Sequence, residues 1–140
     1  KEITREVFEK AVEERGLKKY AIYHGPKYGD DKVAFFSNAD IFVQPTLNDC
    51  FPLTLLEAMQ YQLPIISTRE GAVPDIVADE ENGFVCERED AVGVATAIET
   101  LLKNKEKRTL MGDAGYKKFK KELTLAVFNR NITRILKNLT

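Results

Sequence analysis

Fully apolar stretches alternate along the chain with stretches whose apolar residues recur at helical spacing. Short runs that are apolar at every position are typical of strands buried on both faces of a parallel sheet. Three runs have this character: Ile41–Val43, Leu63–Ile66 and Gly83–Cys86. A fourth run, Tyr20–Tyr23, is apolar and aromatic and ends in the turn His24–Gly25–Pro26, so it also predicts a strand. The pattern therefore predicts about four strands.

Apolar residues recurring among charges predict helices between and after these strands. The predicted helical segments are Ile3–Arg15, a patch opened by Asp30 and Asp31, Pro52–Gln62, Val73–Asp79, Glu89–Lys103, Lys105–Glu122 and Leu125–Leu139. Alternation of strand and helix predicts the α/β class, with a Rossmann-like parallel sheet and flanking helices. The last two helices have no strand between them and predict a terminal helical arm over residues 105–140.

Composition narrows the function classes. The chain has 140 residues, 44% of them hydrophobic, which is enough for one core and predicts one domain. Its 21 basic and 22 acidic residues give a net charge of -1, so no strong field attracts nucleic acid. The apolar runs are shorter than the ~20 residues of a membrane span, and the amino end does not resemble a secretory signal. We therefore expect a cytoplasmic protein with reduced cysteines.

Two carboxylates flank the start of the predicted helix Pro52–Gln62. Asp49 lies in the loop before the helix, and Glu57 lies about one turn inside it among apolar residues. Because such a carboxylate needs hydrogen-bond donors, ligand hydroxyls are suitable partners. Pro52 suits a first helical turn, and the free backbone N–H groups near Leu53 and Thr54 favour a phosphate.

The stretch around these acids resembles a known family. The run Ala39–Thr68, followed by Gly71–Val77 and Glu81–Val85, resembles the carboxyl-terminal, nucleotide-sugar-binding half of retaining GT-B glycosyltransferases of group 1. The resemblance covers nearly the whole chain.

The family carries an E-x7-E signature, and the resemblance implies a role for each acid. The second Glu binds the ribose and falls on Glu57, whereas the first binds hydroxyls of the donor sugar and falls on Asp49, one methylene shorter than Glu. The remaining binding residues implied by the resemblance are Cys50, Phe51, Pro52, Leu53 and Thr54 beside the diphosphate or sugar, and His24, Gly25 and Pro26 beside the base.

The resemblance also implies the chemistry of a full-length enzyme. Such an enzyme transfers a sugar from a nucleoside diphosphate sugar to an acceptor hydroxyl with retention, often in polysaccharide biosynthesis, and uses no metal cofactor. It works together with an amino-terminal acceptor domain, in the cytoplasm or at a membrane periphery.

The family's first two strands of this half, and the Arg and Lys that neutralise the diphosphate, have no counterpart in this sequence. We therefore expect an amino-terminally truncated half with a gap in its sheet and little activity alone. The first strand is then displaced, or the fragment forms a strand-exchanged or edge-paired dimer.

Several alternatives remain open. A sugar-nucleotide epimerase shares the architecture, and a non-catalytic nucleotide-sugar-binding or interaction module could keep the fold. Asp49 could serve only as a helix cap, and Glu57 could lie on a solvated face. Cys50 with His24 as its base is a weak candidate nucleophile, because nothing local activates the thiol. No spacing of histidines and cysteines predicts a metal site.

Overall fold

The computed structural model describes residues 4–138. These residues fall into two compact units, an amino-terminal one up to Phe35 and a carboxyl-terminal one from Phe36. The division lies within one helix, α2 (Gly29–Asn38). The predicted single domain over residues 1–140 stays a prediction. Within residues 4–138, no helix is both long and apolar enough to cross a membrane.

The amino-terminal unit contains helix α1 (Arg5–Glu14), as the apolar spacing predicts. The Thr4 hydroxyl caps its start by accepting a hydrogen bond from the Val7 N–H. Gly16 ends the helix at a φ of 66°. Its N–H donates to the Glu13 carbonyl at 3.0 Å, and the Leu17 N–H donates to the Val12 carbonyl at 2.8 Å. This pair of bonds is the Schellman arrangement that glycine favours at a helix end.

The strand predicted at Tyr20–Tyr23 is wrong. The Tyr20 and Ala21 N–H groups both donate to the Leu17 carbonyl, so a turn occupies the start of the predicted strand. Tyr20 is 83% exposed and Ile22 is 66% exposed. A run of four apolar residues does not form a strand without a neighbouring strand to share its backbone hydrogen bonds. Residues 4–35 contain no other strand that could be this neighbour.

The carboxyl-terminal unit contains a parallel sheet of three strands in the order β1–β2–β3, rather than the four predicted. The strands are β1 (Phe42–Gln44), β2 (Ile65–Thr68) and β3 (Gly83–Cys86). Register pairs Val43 with Ile66, and Ile66 with Phe84. Helix α3 (Leu53–Gln60) connects β1 to β2, and α4 (Val73–Ile76) lies between β2 and β3. The predicted parallel α/β class is confirmed.

Helices cover both faces of the sheet because successive side chains of a strand point to opposite faces. Ile65 packs on one face with Leu55 and Met59 of α3, whereas Ile66 packs on the other with Leu101. Leu101 belongs to α5 (Ala91–Lys103), and α6 (Lys105–Lys118) follows it.

Helices occupy the described part of the segment predicted as a terminal helical arm. A π-helical segment (Phe119–Leu123) separates α6 from α7 (Leu125–Lys137). The predicted helix Lys105–Glu122 is therefore interrupted near its end, while the helix predicted from Leu125 is confirmed. Its predicted last residue, Leu139, lies outside the described residues, as does Ile3 at the predicted start of α1.

Candidate functional site

Three loops leave the carboxyl ends of the strands at one edge of the sheet, because parallel strands all end on the same side. They are the β1–α3 loop (Pro45–Pro52), the β2–α4 loop (Arg69–Ala72) and the β3–α5 loop (Glu87–Asp90). Ligands of open α/β sheets bind at this edge. Of the predicted site residues, seven lie on the first loop and the helix it enters: Asp49, Cys50, Phe51, Pro52, Leu53, Thr54 and Glu57.

Side chains of β2 hold the beginning of the β1–α3 loop. The Ser67 hydroxyl donates to the Gln44 carbonyl at 2.8 Å, and the Thr68 hydroxyl donates to the Thr46 carbonyl. Both hydroxyls are buried, so their bonds to the loop satisfy groups that would otherwise be costly to bury. The two bonds extend the attachment of β1 to β2 beyond the strand itself.

The middle of the same loop contacts the β2–α4 loop. The Ala72 N–H donates to the Cys50 carbonyl at 2.9 Å. Gly71 has a φ of 49°, and a Cβ atom there would lie 2.2 Å from the Asp49 carbonyl oxygen and 2.7 Å from the Cys50 carbonyl oxygen. Only glycine permits this approach. Gly71 was not among the predicted site residues, although a glycine just after a buried strand is a signal of close backbone contact.

Asp49 is half-buried, and its carboxylate accepts a hydrogen bond from the Phe51 N–H at 3.1 Å. This Asx-type turn shapes the entry to α3. It also uses the Phe51 N–H, which the resemblance assigns to the diphosphate. The N–H groups of Leu53 and Thr54 therefore fit a ligand anion better than the N–H group of Phe51.

Helix α3 begins at Leu53, and its N-cap residue, Pro52, forms no side-chain cap hydrogen bond. The first N–H groups of a helix have no intrahelical acceptor, and those of Leu53 and Thr54 occupy these positions. The Thr54 hydroxyl donates to the side-chain oxygen of Gln44, which joins the helix start to the end of β1. The helix start therefore presents donors and the positive end of its dipole.

Glu57 is half-buried on α3, one turn beyond Thr54 and on the same flank of the helix. The apolar residues that surround it in sequence mostly lie elsewhere. Leu55, Ala58 and Met59 are fully buried in the core on a different face of α3. The expected enclosure of the carboxylate by these side chains is therefore wrong, but the side chain is not fully exposed to solvent either.

The cysteines are free thiols with different surroundings. Cys50 is exposed in the β1–α3 loop, and Cys86 is half-buried at the end of β3. Burial raises the pKa of the Cys86 thiol, and the negative charges of Asp90 and Asp79 raise it further, so this thiol is poorly suited to act as a nucleophile. Among residues 4–138, no group of three or more histidines, cysteines and acids could hold a metal ion.

The turn at His24, Gly25 and Pro26 belongs to the amino-terminal unit. The His24 ring meets the ring of Phe35 edge-on, with 4.7 Å between centroids. Gly25 has a φ of 66°, as a tight turn requires. The place of this turn beside a nucleobase stays a prediction.

The parallel sheet with helices on both faces places the chain among the open α/β proteins, whose ligands bind at the carboxyl edge of the sheet. Comparison with known sequences then gives the family. Residues 2–118 match the profile of "Glycosyl transferases group 1". The chain belongs to this glycosyltransferase family.

Characterised relatives are about one-third identical to the chain over the aligned region. "Sulfoquinovosyl transferase SQD2" of Arabidopsis thaliana is 32% identical over 97 residues, covering 67% of this chain and 19% of that protein. "D-inositol 3-phosphate glycosyltransferase" of Corynebacterium glutamicum is 32% identical over 110 residues, covering 79% of this chain and 26% of that protein. The chain therefore spans about a quarter of the length of such relatives or less.

Solved structures share the fold. Sucrose-phosphate synthase from Thermosynechococcus elongatus has a TM-score of 0.85 at 24% identity, covering 96% of this chain and 34% of that one. The carboxyl-terminal domain of the group 1 glycosyl transferase LpcC from Francisella tularensis has a TM-score of 0.78 at 26% identity, covering 86% and 63%. Anabaena HepE in complex with UDP-glucose has a TM-score of 0.85 at 16% identity, covering 95% and 36%. The predicted family resemblance is confirmed.

Proposed function

We propose that the chain is the donor-binding part of a retaining glycosyltransferase, which transfers a sugar from a nucleoside diphosphate sugar to an acceptor hydroxyl. Membership of the glycosyltransferase family supports the reaction class. A fold neighbour, HepE, has been crystallised with UDP-glucose, which makes a uridine nucleotide the first donor to test. Retention and the acceptor rest on the resemblance.

One observation carries the proposal: the start of α3 presents free N–H donors between two half-buried carboxylates. Asp49 precedes the helix, and Glu57 lies one turn inside it, on the flank of Thr54. A diphosphate on the Leu53 and Thr54 N–H groups would be stabilised by the helix dipole. Hydroxyls on either side of the diphosphate would then have a carboxylate acceptor, with Glu57 for the ribose and Asp49 for the sugar.

In this proposal the helix start assists the reaction by stabilising charge. As the bond to the sugar breaks, negative charge grows on the leaving diphosphate, and fixed donors stabilise that charge more in the transition state than in the bound substrate. Asp49 and Glu57 orient the donor and do not transfer protons. The proposed reaction uses no metal ion and takes place in the cytoplasm or at a membrane surface facing it.

We propose an amino-terminal acceptor domain of the same enzyme as the partner of α7. Large apolar side chains on this helix are mostly exposed, including Leu125, Phe128, Ile135 and Leu136. Exposed apolar faces of this kind are typical of interfaces. Characterised relatives extend well beyond the region matched here, which leaves room for such a domain.

The first test measures nucleotide binding to the purified chain. Isothermal titration with UDP, UDP-glucose, GDP and ADP should identify one preferred nucleotide. Glu57→Ala should weaken its binding by about 10-fold or more, because a charged acceptor of the ribose hydroxyls is lost. Gln60→Ala is the matched control, since Gln60 is exposed on the same helix, and it should bind like the parent.

Absence of binding to every nucleotide, or equal binding by Glu57→Ala and the parent, would contradict the donor site. Transfer chemistry is tested separately in the full-length enzyme. A binding module predicts binding without turnover, and an epimerase predicts an altered nucleotide sugar without an acceptor product. The transferase predicts a glycosylated acceptor whose anomeric configuration matches that of the donor.

A further inference from the structure

Arg88 connects all three loops at the carboxyl edge of the sheet. It lies in the β3–α5 loop, and its Nη2 donates to the Leu47 carbonyl in the β1–α3 loop at 3.0 Å. Its Nη1 lies 3.1 Å from Oε2 of Glu70 in the β2–α4 loop. One side chain thus joins segments that are separated by up to 41 positions in sequence.

The two contacts require the geometry of arginine. A guanidinium presents several N–H donors in a rigid plane, so it reaches two acceptors in different directions, whereas a lysine ammonium is a single point of charge on a flexible stem. The acceptor Glu70 is itself well held. Its side chain is 22% exposed, and its backbone forms turn bonds with Thr68 and Val73.

The hydrogen bond from Arg88 to the Leu47 carbonyl holds the chain two residues before Asp49. Asp49 lies between the Leu47 carbonyl, held by Arg88, and the Cys50 carbonyl, held by the Ala72 N–H. Residues 45–52 form no regular secondary structure, so individual backbone and side-chain bonds fix the path of this loop. Without Arg88, this segment would lose its bond to the β3–α5 loop. It would keep the bond from the Thr68 hydroxyl to the Thr46 carbonyl and two bonds within the segment, from the Thr46 N–H to the Gln44 carbonyl and from the Asn48 N–H to the Thr46 hydroxyl.

The contact contributes little to global stability. The Arg88 side chain is 57% exposed, and ion pairs that water reaches this easily stabilise the folded state only weakly. A small change in the position of a binding group can nevertheless weaken binding strongly. Loss of the Arg88 contacts should therefore weaken ligand binding and leave the free energy of unfolding nearly unchanged.

We propose that Arg88 is a positioning residue that holds the β1–α3 loop in the conformation in which Asp49 meets the donor sugar. The role rests on the proposed donor-binding function. The nucleotide portion of the donor lies by the helix start and Glu57, which Arg88 does not contact. Arg88 therefore acts selectively on the sugar end of the site.

The first experiment requires no ligand. Hydrogen exchange of the purified chain should show amides of residues 46–51 exchanging about 10-fold faster in Arg88→Ala than in the parent, because the loop opens more often. Arg88→Lys should lie between the two, since it keeps the charge but only one bond. Arg69→Ala is the matched control, because Arg69 pairs with Glu87 at 3.3 Å between the other two loops, and it should exchange like the parent.

The second experiment compares UDP-glucose with UDP on the same proteins. Arg88→Ala should weaken UDP-glucose binding about fivefold and leave UDP binding within error, while its unfolding midpoint stays near that of the parent. A general loss of structure would weaken both ligands together. Equal weakening of both ligands would therefore overturn the proposal.

The two experiments separate this proposal from the proposed function. A parent that binds neither ligand counts against a uridine donor, and the hydrogen-exchange comparison then decides whether Arg88 holds the loop. Unchanged exchange of residues 46–51 in Arg88→Ala overturns the positioning role whatever the parent binds.

Discussion

The β1–α3 loop and the turn at His24–Pro26 carry the two parts of the predicted binding site, but they are held in different ways. Hydrogen bonds from Thr68, Ala72 and Arg88 fix the β1–α3 loop. Residues 21–28, which contain the turn, have no regular secondary structure, and aromatic contacts such as that of His24 with Phe35 surround it.

The two regions also differ in their cores. Among described residues of the amino-terminal unit, Val12 is the one buried hydrophobic side chain. Residues of α3 and β2 such as Leu55, Met59 and Ile65 are fully buried. The comparison teaches that loops at the carboxyl edge of a packed parallel sheet are fixed before a ligand arrives, which lowers the ordering cost of binding. A segment without such a scaffold must be ordered by other contacts.

The largest expected difference between the regions is in core packing. Leu55→Ala should lower the free energy of unfolding by about 3 kcal/mol, because it removes a fully buried side chain and leaves a cavity. Ile22→Ala in the amino-terminal unit should change it by less than about 0.5 kcal/mol, because Ile22 is mostly exposed. Urea denaturation followed by circular dichroism measures both values. Similar losses in the two variants would contradict the contrast.

A smaller difference in stability is expected between alanine variants of Gly16 and Gly71, two glycines with a positive φ. Gly16→Ala should cost about 1 kcal/mol from the backbone conformation alone, because no atom lies within 4 Å of the added Cβ. Gly71→Ala should cost about 2 kcal/mol or more, because its Cβ also meets the Asp49 and Cys50 carbonyls. The same denaturation assay measures both variants.

Ligand binding provides a second test of the two glycine variants. Gly71→Ala should weaken binding of the preferred nucleotide sugar, because the added methyl group displaces the loop that carries Asp49. Gly16→Ala should bind like the parent in isothermal titration. If Gly16→Ala costs as much stability as Gly71→Ala, the close contact between the two loops is not the reason for the loss.

The smallest effect is expected from a surface ion pair of the amino-terminal unit. Lys18 lies 2.6 Å from Glu13, and both side chains are 66% exposed. The hydrogen bond and charge of Lys18 lower the pKa of Glu13. Lys18→Ala should leave the unfolding midpoint at pH 7 within error in 0.15 M salt, because water and ions screen such pairs.

The sign of the pH dependence follows from the lowered pKa. A depressed carboxyl pKa stabilises the folded state above the ordinary value of 4.5, and this contribution disappears as the pH falls through the lowered value. Any difference between Lys18→Ala and the parent should therefore be largest above about pH 4.5 and decrease as the pH falls through the lowered pKa of Glu13. A difference that grows on acidification would contradict this account.

Much of the fold could be predicted from the sequence. Strand β3 was predicted at its observed bounds, and β1 and β2 were predicted within two residues of theirs. Apolar spacing located α1, and Gly16 correctly marked its end. The strand predicted at Tyr20–Tyr23 was wrong, because a run of four apolar residues does not by itself provide another strand to pair with.

The candidate site was predicted in part. The positions of Asp49 and Glu57 around the start of α3 followed from local sequence, because a proline before an apolar helical run marks a helix start. The prediction that apolar side chains surround the Glu57 carboxylate was wrong, because its sequence neighbours Leu55, Ala58 and Met59 face the core. Sequence adjacency is not spatial contact on a helix, where each residue turns by about 100°.

The parallel α/β class follows from local spacing of apolar residues, because buried strands and amphipathic helices require different spacings. The acids that flank the start of α3 also follow from local sequence. The contacts that hold the loop between them do not, because they form in the folded chain. The contacts from Gly71, Ala72 and Arg88 join residues far apart along the chain, and such contacts exist only after the strands have paired and brought their loops to one edge.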